Sequence, residues 1–127
     1  MSQLLLDTHA LIWFLEDDAN LPILIKQKIE SADAVFLSIA SLWEIAIKIS
    51  ISKLSLKGDF EAIEPQINAL GIPILPIAFA DTVQIRCLPL HHRDPFDRIL
   101  VAQAMNHSLV LISRDLAFDF YSIQRVW

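Results

Sequence analysis

The chain has 127 residues, a formal net charge of −5 and 54% hydrophobic residues, with 2 glycines and 6 prolines. This composition excludes a disordered chain and predicts a single compact domain over residues 1–127. The negative charge argues against tight nonspecific binding to nucleic acid, because such binding depends on Lys and Arg side chains that neutralise phosphates.

A mean hydropathy of +0.48 raises the question of a membrane span. Glu44, Lys48, Pro73 and Pro76 interrupt the apolar runs before any of them reaches the length that a bilayer requires. The opening residues MSQLLLD lack the features of a signal peptide, and the single Cys87 excludes an intramolecular disulfide. We therefore expect a cytoplasmic protein that is not in a membrane, with an apolar surface patch for a protein partner or a second copy.

The first part of the chain predicts a strand, two helices and a second strand. Residues 3–6 form a short buried strand that ends at Asp7, and Thr8 is placed to cap a short apolar helix that follows. A second helix covers residues 21–31, and residues 34–37 return as a strand. Asp7 therefore lies at the carboxyl end of a strand.

A long amphipathic helix is predicted over residues 38–51 from apolar residues at helical spacing. Ser41 and Glu44 have the spacing of a capping box at the start of a helix. The next helix is predicted to end at Gly71, because glycine readily adopts the left-handed conformation that follows many helices. Glu44 thus lies in the opening turns of its helix.

An edge strand is predicted at residues 72–75, because Pro73 and Pro76 lack the N–H donors that a central strand needs. A helix over residues 79–88 and a loop over residues 89–93 follow this strand. The prolines thus predict one edge of the sheet.

The stretch HHRDPFDRILVAQA predicts the central helix of the fold. Asp94 caps its free N–H groups, and Pro95 suits its first position. The helix extends to about residue 107, and its apolar residues cover so much of its circumference that it is largely buried. Asp97 is therefore held near the start of a rigid element.

The end of the chain predicts a buried strand at residues 109–112, a short helical turn and a last strand at residues 122–126. The sequence Ser113-Arg114-Asp115 places another acid at the end of the buried strand. Strands and helices alternate throughout, which predicts an α/β fold with a mostly parallel sheet and helices on both faces, a three-layer α/β/α sandwich.

Four acids occupy positions where active sites form in such sheets, at the carboxyl ends of strands near the switch in strand order. Asp7 and Asp115 follow strands, whereas Glu44 and Asp97 lie in the first turns of helices. Clustered carboxylates repel one another unless a cation is bound. Oxygen ligands in this number suit Mg²⁺ or Mn²⁺.

Each acid also has a purely structural interpretation. Asp7 could start a turn, and Asp115 could cap one. Glu44 could serve as a capping partner or form an ordinary surface pair with Lys48. Asp97 could only complement the dipole of its helix.

Other polar and aromatic residues are interpreted as structural. His91 and His92 lack the spacing of zinc ligands and are predicted to be loop residues. Cys87 is predicted to pack in the core. The tryptophans are interpreted as core or interface residues rather than stacking platforms for bases: Trp13, Trp43 and Trp127.

The acids and their surroundings in LLLDTHALIW, SLWEIAIK, HHRDPFDRILVAQA and LVLISRD resemble the PIN domain, and specifically the VapC-type ribonuclease toxins of bacterial toxin–antitoxin modules. The resemblance extends over nearly the whole chain and implies a PIN-like fold. It matches the acidic site of the family to Asp7, Glu44, Asp97 and Asp115.

The resemblance leaves some neighbouring residues with alternative roles. Thr8 and Ser113 are hydroxyls that could support the metal or its waters. Asp94 is assigned to capping, whereas Asp119 is a substitute candidate for the fourth acid, because this acid falls later than Asp115 in some PIN sequences. The family also implies a homodimer and a small antitoxin protein that covers the cleft.

The activity that the resemblance implies is metal-dependent hydrolysis of RNA phosphodiester bonds by an endoribonuclease. Asp7, Asp97 and Asp115 would hold Mg²⁺ or Mn²⁺, and Glu44 would orient or deprotonate a water. Candidates for contacting the RNA backbone are the basic residues Lys48, Lys53, Arg93, Arg98 and Arg114.

Rival interpretations come from other functional classes. A receiver-like Mg²⁺-binding signalling domain would need a Lys where this chain has Ser113-Arg114-Asp115. A haloacid-dehalogenase phosphatase would need an acid at His9. A catalytically silent PIN-like binding module is a further alternative, although all four acids are present.

Overall fold

A five-stranded sheet in which every strand runs parallel to its neighbours forms the centre of the computed structural model, which describes residues 2–127. The described strands are β1 (Gln3–Leu6), β2 (Ala34–Ser38), β3 (Ile74–Leu75), β4 (Val110–Ile112) and β5 (Arg125–Val126). Their order across the sheet is β3-β2-β1-β4-β5. The predicted parallel sheet is confirmed, and the strand between the two prolines lies at an edge, as predicted.

Helices cover both faces of this sheet. Within residues 2–127 they are α1 (Thr8–Leu15), α2 (Ile23–Ser31), α3 (Ile39–Ser50), α4 (Ile63–Leu70), α5 (Phe79–Cys87) and α6 (Pro95–His107), with 3₁₀ helices at Phe60–Ala62 and Leu116–Phe120. The first four helices bury apolar residues in one core, whereas α6 contributes to a second core and packs against α5. The predicted three-layer α/β/α sandwich is confirmed.

The central strand β1 joins the two cores. Leu4 and Leu6 belong to the core on one face of the sheet, and Leu5 belongs to the core on the other face. Because the strand is covered on both faces, apolar residues occupy consecutive positions instead of alternating with polar ones. Asp7, the next residue, is therefore held at the end of a fully packed strand.

The predicted ends of two helices are confirmed by their backbone geometry. The side chain of Asp94 accepts hydrogen bonds from the backbone N–H groups of Phe96 and Asp97, and Pro95 is the first residue of α6. Gly71 ends α4 in the left-handed conformation, with φ of 71°. These caps start and stop the helices where the sequence indicates.

Three local predictions are wrong. Asp7, rather than Thr8, caps α1, because its carboxylate accepts a hydrogen bond from the N–H of Ala10. Ser38 caps α3, so Ser41 already lies inside the helix and forms no capping box with Glu44. Cys87 is exposed rather than packed in the core. Thr8 donates instead to Glu44, 36 residues away, and the exposure of Cys87 depends on tertiary packing, neither of which a local sequence pattern reports.

Apolar side chains at every fourth position form an exposed stripe along α3. Ile39, Trp43, Ile47 and Ile51 are 40%, 58%, 37% and 55% exposed. Residues four apart lie on one face of a helix, so these side chains form a continuous surface, the α3 stripe. The expected apolar surface patch is therefore present. Among residues 2–127, no helix combines the length and apolar character needed to cross a membrane.

Candidate active site

A cleft opens at the carboxyl ends of the neighbouring strands β1 and β4. Leu6 pairs with Ile112, so the residues that follow them, Asp7 and Ser113, come side by side. The chain fills one half of the sheet with β2 and β3 and the other half with β4 and β5, which makes this pair the switch point in strand order. The cleft has a volume of about 280 Å³, and all four predicted acids line it: Asp7, Glu44, Asp97 and Asp115.

Asp7 is fixed by the end of β1 and the start of α1. Its backbone N–H donates to the carbonyl of Ile112 at 3.1 Å, and its Oδ1 accepts from the N–H of Ala10 at 2.8 Å. Burial raises the pKa of the Asp7 carboxyl above its usual value, although hydrogen bonds from Ser113 and Ala10 oppose the rise. Asp7 thus caps α1, a role that the sequence predicts for Thr8, and the same residue also faces the cleft.

Glu44 is buried, with only 5% of its surface exposed, and both carboxylate oxygens accept hydrogen bonds. The hydroxyl of Thr8 donates to Oε1 at 2.6 Å, and the ammonium of Lys48 donates to Oε2 at 2.6 Å. The hydrogen bond to Glu44 raises the pKa of Lys48 and keeps this side chain charged. The i,i+4 pair is therefore part of the cleft wall, not an ordinary surface pair.

Asp97 carries the most perturbed carboxyl of the cleft. Burial and the neighbouring carboxylates, first Asp94 and then Glu44 and Asp115, raise its pKa to about 7, while His92 acts to lower it. Asp94 caps α6 and also lines the cleft. Both acids at the start of α6 thus face the same space, but only Asp94 has the role of a cap.

Asp115 follows β4 and caps the 3₁₀ helix that begins at Leu116. Its Oδ1 accepts from the N–H of Ala117 at 2.9 Å, and its Oδ2 lies 3.0 Å from Nε2 of His92. Partial burial acts to raise the pKa of Asp115, but the hydrogen bonds from Ala117 and His92 outweigh it and hold the pKa below its usual range. Asp115 is thus both a cap and a cleft residue.

The donor set of the cleft fits a divalent cation. The cleft is lined by five carboxylates, those of the four predicted acids and Asp94, and by only two Lys or Arg side chains, Lys48 and Arg114. Ligand atoms of Asp97, Asp115 and His92 lie within 4.8 Å of one another. A bound cation would relieve the carboxylate repulsion that, after burial, raises the pKa of Asp97. Carboxylate oxygens in this number suit Mg²⁺ or Mn²⁺.

One wall of the cleft is aromatic and basic. The guanidinium carbon of Arg114 lies 4.8 Å from the centroid of the Trp13 ring, and the His9 ring lies 5.5 Å from that ring. Trp13 also packs against Trp127, with ring centroids 5.9 Å apart. The half-buried Trp13 therefore belongs to the core and to the cleft wall at once.

Comparison with known proteins places this architecture in a family. The model of the PIN domain family matches residues 4–123. The chain belongs to the PIN domain family. The resemblance inferred from the four acidic stretches is thereby confirmed, whereas no curated protein sequence matches the chain.

Solved structures share this PIN fold at low sequence identity. DNA-bound VapBC from Salmonella typhimurium is 15% identical, with 99% of this chain and 98% of that chain covered and a TM-score of 0.69. VapBC2 from Rickettsia felis, bound to a promoter DNA fragment, is 12% identical, with 98% and 97% covered and a TM-score of 0.68. FitAcB from Neisseria gonorrhoeae is 21% identical, with 98% and 96% covered and a TM-score of 0.66.

Asp119, the substitute for Asp115, lies away from the acids of the PIN cleft. Its carboxylate accepts from Nε and Nη2 of Arg125 at 2.8 and 3.0 Å, and this ion pair lowers its pKa. Asp115 lines the cleft, whereas Asp119 does not. This placement favours Asp115 as the fourth acid of the candidate site.

His92 is the cleft-side residue that sequence reasoning missed. It lies in a loop, as predicted, yet it is only 9% exposed and contacts Asp115 and Tyr121. Those partners are 23 and 29 residues away in the chain, so no local pattern indicates the contacts. The adjacent His91 is exposed and stacks on Phe120.

Proposed function

We propose that the protein is a metal-dependent endoribonuclease and the toxin component of a toxin–antitoxin pair, acting on RNA in the cytoplasm. The observation that carries this proposal is the convergence of Asp7, Glu44, Asp97 and Asp115 in one cleft of a PIN domain. Similar solved structures support the toxin assignment, since they include a toxin–antitoxin complex from Klebsiella pneumoniae and VapBC complexes.

Asp7, Asp97 and Asp115 would hold the divalent cation, Mg²⁺ or Mn²⁺. When bound, such a cation polarises a phosphate and lowers the pKa of a water molecule. Asp97 must lose its proton to serve as a ligand, because only the carboxylate form binds a hard cation strongly. The capped start of α6 and the packed strand β1 keep Asp97 and Asp7 in place before the substrate arrives.

Glu44 is suited to orient the attacking water and accept its proton. Thr8 and Lys48 each donate to one of its oxygens, which fixes the plane of the carboxylate. Each oxygen retains a second lone pair that can accept a proton from a water molecule. A general base must lie within hydrogen-bonding reach of the proton it removes, and the fixed carboxylate at the cleft wall supports that role.

Arg114 is the basic residue best placed to contact the RNA backbone. Lys48 is engaged with Glu44, and the guanidinium of Arg98 donates to the carbonyls of Pro89 and Ile85. Arg114 lines the cleft, and no ion pair involves it among residues 2–127. Its guanidinium could therefore bind a phosphate beside the acids, which would offset part of the repulsion between RNA and an acidic chain.

The exposed α3 stripe supports a protein partner. A contiguous apolar surface of this kind usually marks a protein interface. The proposal therefore includes a cognate small antitoxin protein and a homodimer of the chain. Similar solved structures are VapBC and other toxin–antitoxin complexes, which supports the antitoxin as partner.

The test of this function is cleavage of RNA by purified, antitoxin-free protein. Single-stranded and structured RNAs should be cut in Mg²⁺ or Mn²⁺ and left intact in EDTA. Asp97→Asn should remove the activity, whereas Asp119→Asn, an acid outside the cleft, should keep it. Failure to cut any of these RNAs in either metal would contradict the proposal, and RNA binding without cleavage would favour a silent PIN-like binding module.

A further inference from the structure

Asp115 differs from the other acids of the cleft in how it is held. Asp7 and Glu44 are buried, whereas 47% of the Asp115 side chain is exposed. An exposed side chain samples several rotamers and loses that freedom when it binds a ligand. A hydrogen-bonding partner is therefore needed to hold the Asp115 carboxylate in the orientation that binds a cation.

His92 supplies that partner from a buried position. Its Nε2 lies 3.0 Å from Oδ2 of Asp115, on the oxygen opposite the one that accepts from the N–H of Ala117. With one hydrogen bond on each oxygen, the carboxylate is fixed in plane and in direction. Each oxygen still has a lone pair for a cation.

The orientation of the His92 ring is itself fixed. The ring stacks on Phe118 at a centroid distance of 4.5 Å and on Tyr121 at 5.5 Å. The Tyr121 hydroxyl accepts from the backbone N–H of His92 at 2.9 Å and lies 3.3 Å from Nδ1. Two aromatic rings and two polar contacts thus hold the imidazole in this orientation.

The same contacts assign the hydrogens. A carboxylate oxygen can only accept, so Nε2 of His92 is the donor to Oδ2 of Asp115, and the Tyr121 hydroxyl, which accepts from the backbone N–H of His92, donates to Nδ1. A neutral imidazole with Nδ1 as acceptor carries its hydrogen on Nε2. Nε2 then donates to Asp115 and has no lone pair to offer a cation, so His92 is not a ligand even though a ring nitrogen lies within 4.8 Å of ligand atoms of Asp97 and Asp115.

We propose that His92 is a positioning residue, which receives the Tyr121 hydroxyl proton at Nδ1 and orients the Asp115 carboxylate for the divalent cation through Nε2–H. This inference rests on the proposed function, because it assumes that the acids of the cleft bind a metal. Metal-binding carboxylates are commonly held by hydrogen-bonding partners of this kind, whose loss costs roughly 10- to 100-fold in metal affinity. His92 thereby extends the site beyond the four acids.

The experiment measures Mn²⁺ affinity by titration calorimetry for wild type, His92→Leu, His92→Gln and Tyr121→Phe. His92→Leu should weaken Mn²⁺ binding by roughly 10- to 100-fold. His92→Gln should recover most of the affinity, because its amide N–H can donate to Asp115 from a similar position. Tyr121→Phe should cause a smaller loss, since the stacked ring remains but the hydroxyl that fixes its hydrogen is gone.

The exposed His91 is not an independent control, because its ring lies 5.0 Å from the Tyr121 ring, centroid to centroid. The matched control is His107→Leu, at an exposed histidine that ends α6 and does not line the cleft. It should bind Mn²⁺ like wild type, and thermal melts in EDTA establish that each variant is folded. Unchanged affinity in folded His92→Leu overturns the proposal. Equal loss in His92→Leu and His92→Gln overturns it in favour of His92 as a direct ligand.

The inference and the proposed function fail in different ways. Wild type that binds Mn²⁺ but cuts no RNA contradicts the ribonuclease, while the effects of the His92 variants on Mn²⁺ binding still support the positioning role. Wild type that cuts RNA while His92→Leu binds Mn²⁺ normally overturns the positioning role alone. Wild type that binds neither Mn²⁺ nor Mg²⁺ overturns both.

Discussion

Two carboxyls at the start of α6, three residues apart, have different roles: Asp94 is the cap before the helix, and Asp97 lies in its first turn. Asp94 accepts from two backbone N–H groups and stabilises the start of the helix, whereas Asp97 is partly buried among like charges. The environment of each carboxyl, more than its position in the sequence, separates a cap from a candidate ligand. Substitutions at these two positions should therefore have opposite effects on stability and activity.

Asp97→Asn removes a proposed ligand and should reduce cleavage by more than about 100-fold. Loss of only a hydrogen-bonding partner of a ligand costs roughly 10- to 100-fold. The stability of Asp97→Asn in EDTA should equal or exceed that of wild type, because repulsion between carboxylates is relieved. Asp94→Ala should cost about 0.5–2 kcal/mol of stability for a lost cap and retain measurable cleavage. Thermal melts with and without Mg²⁺, beside a cleavage assay, check both variants. Mg²⁺ should stabilise wild type and Asp94→Ala but hardly affect Asp97→Asn.

The control for this pair is Asp119→Asn, which removes a carboxylate outside the cleft. It should change neither the Mg²⁺ shift nor cleavage. If Asp94→Ala abolishes both the Mg²⁺ shift and cleavage while the protein stays folded, Asp94 rather than Asp97 is the ligand.

The raised pKa of Asp97, about 7, predicts how stability depends on pH without metal. A carboxyl whose pKa is higher in the folded than in the unfolded state favours folding below its ordinary value of 3.8. This contribution is lost as the pH rises through about 7. Asp7, whose pKa is also raised, contributes with the same sign.

Wild type in EDTA should therefore lose stability as the pH rises from about 4 to above 7, and Asp97→Asn should flatten much of that decline. Denaturant unfolding at a series of pH values measures both slopes. Identical pH profiles for wild type and Asp97→Asn would show that Asp97 titrates normally. Mg²⁺ should reduce the decline in wild type, because a cation stabilises the ionised carboxylates.

At the scale of whole elements, the ends of α4 and α6 illustrate what a sequence can predict. Asp94 with Pro95 and the lone Gly71 are signals that depend only on the local backbone, and the structure has both ends as predicted. The sequence predicts the cap of α1 one residue too late, at Thr8, because Asp and Thr are both favourable capping residues. The hydrogen bond from Thr8 to Glu44, 36 residues away, decides between them.

In the candidate site too, some residues could be predicted from their neighbours in the sequence, whereas others depend on contacts between residues far apart in the chain. Asp7 and Asp115 follow strands and Asp97 lies in the first turn of α6, which the sequence reports, so their convergence could be predicted from the parallel topology. Glu44 lies in the second turn of α3, so its place in the cleft depends on how that helix packs. The role of His92 depends on Tyr121 and on the 3₁₀ helix after Asp115, which bring distant residues together. Spacing along the chain carries no trace of such contacts.

Gly71 should be required for the end of α4 because of its backbone conformation. Its φ is 71°, and a Cβ atom added there would contact nothing within 4 Å. Gly71→Ala should therefore cost about 1–2 kcal/mol for the left-handed conformation alone. Gly58→Ala is the matched control, since it also has open space but no positive φ, and should be nearly neutral.

Denaturant unfolding of the two glycine variants measures the difference directly. Equal stability of Gly71→Ala and Gly58→Ala would mean that the turn after α4 relaxes at no cost. A larger loss than expected would indicate that the turn also holds the edge strand β3 in place.

At the scale of the whole molecule, the α3 stripe predicts self-association. Purified chain should sediment as a dimer at micromolar concentration, because burying the stripe removes apolar surface from water. Trp43→Glu should shift the protein toward monomer. Leu24→Glu, which alters an exposed apolar residue on α2, should leave the dimer intact. A monomeric wild type at micromolar concentration would contradict the prediction.

The edges of the sheet bear on how such an apolar chain avoids aggregation. Both edge strands have only two residues, and Pro73 and Pro76 flank β3. Arg125, in the opposite edge strand, is held by Asp119. Long, uncharged edges offer unpaired backbone groups on which further chains can stack into cross-β fibrils. The edge strands of this sheet are short, and they are flanked by prolines or carry a charge. A chain that is 54% hydrophobic can therefore expose apolar helix faces without offering a sheet edge as a template for fibril growth.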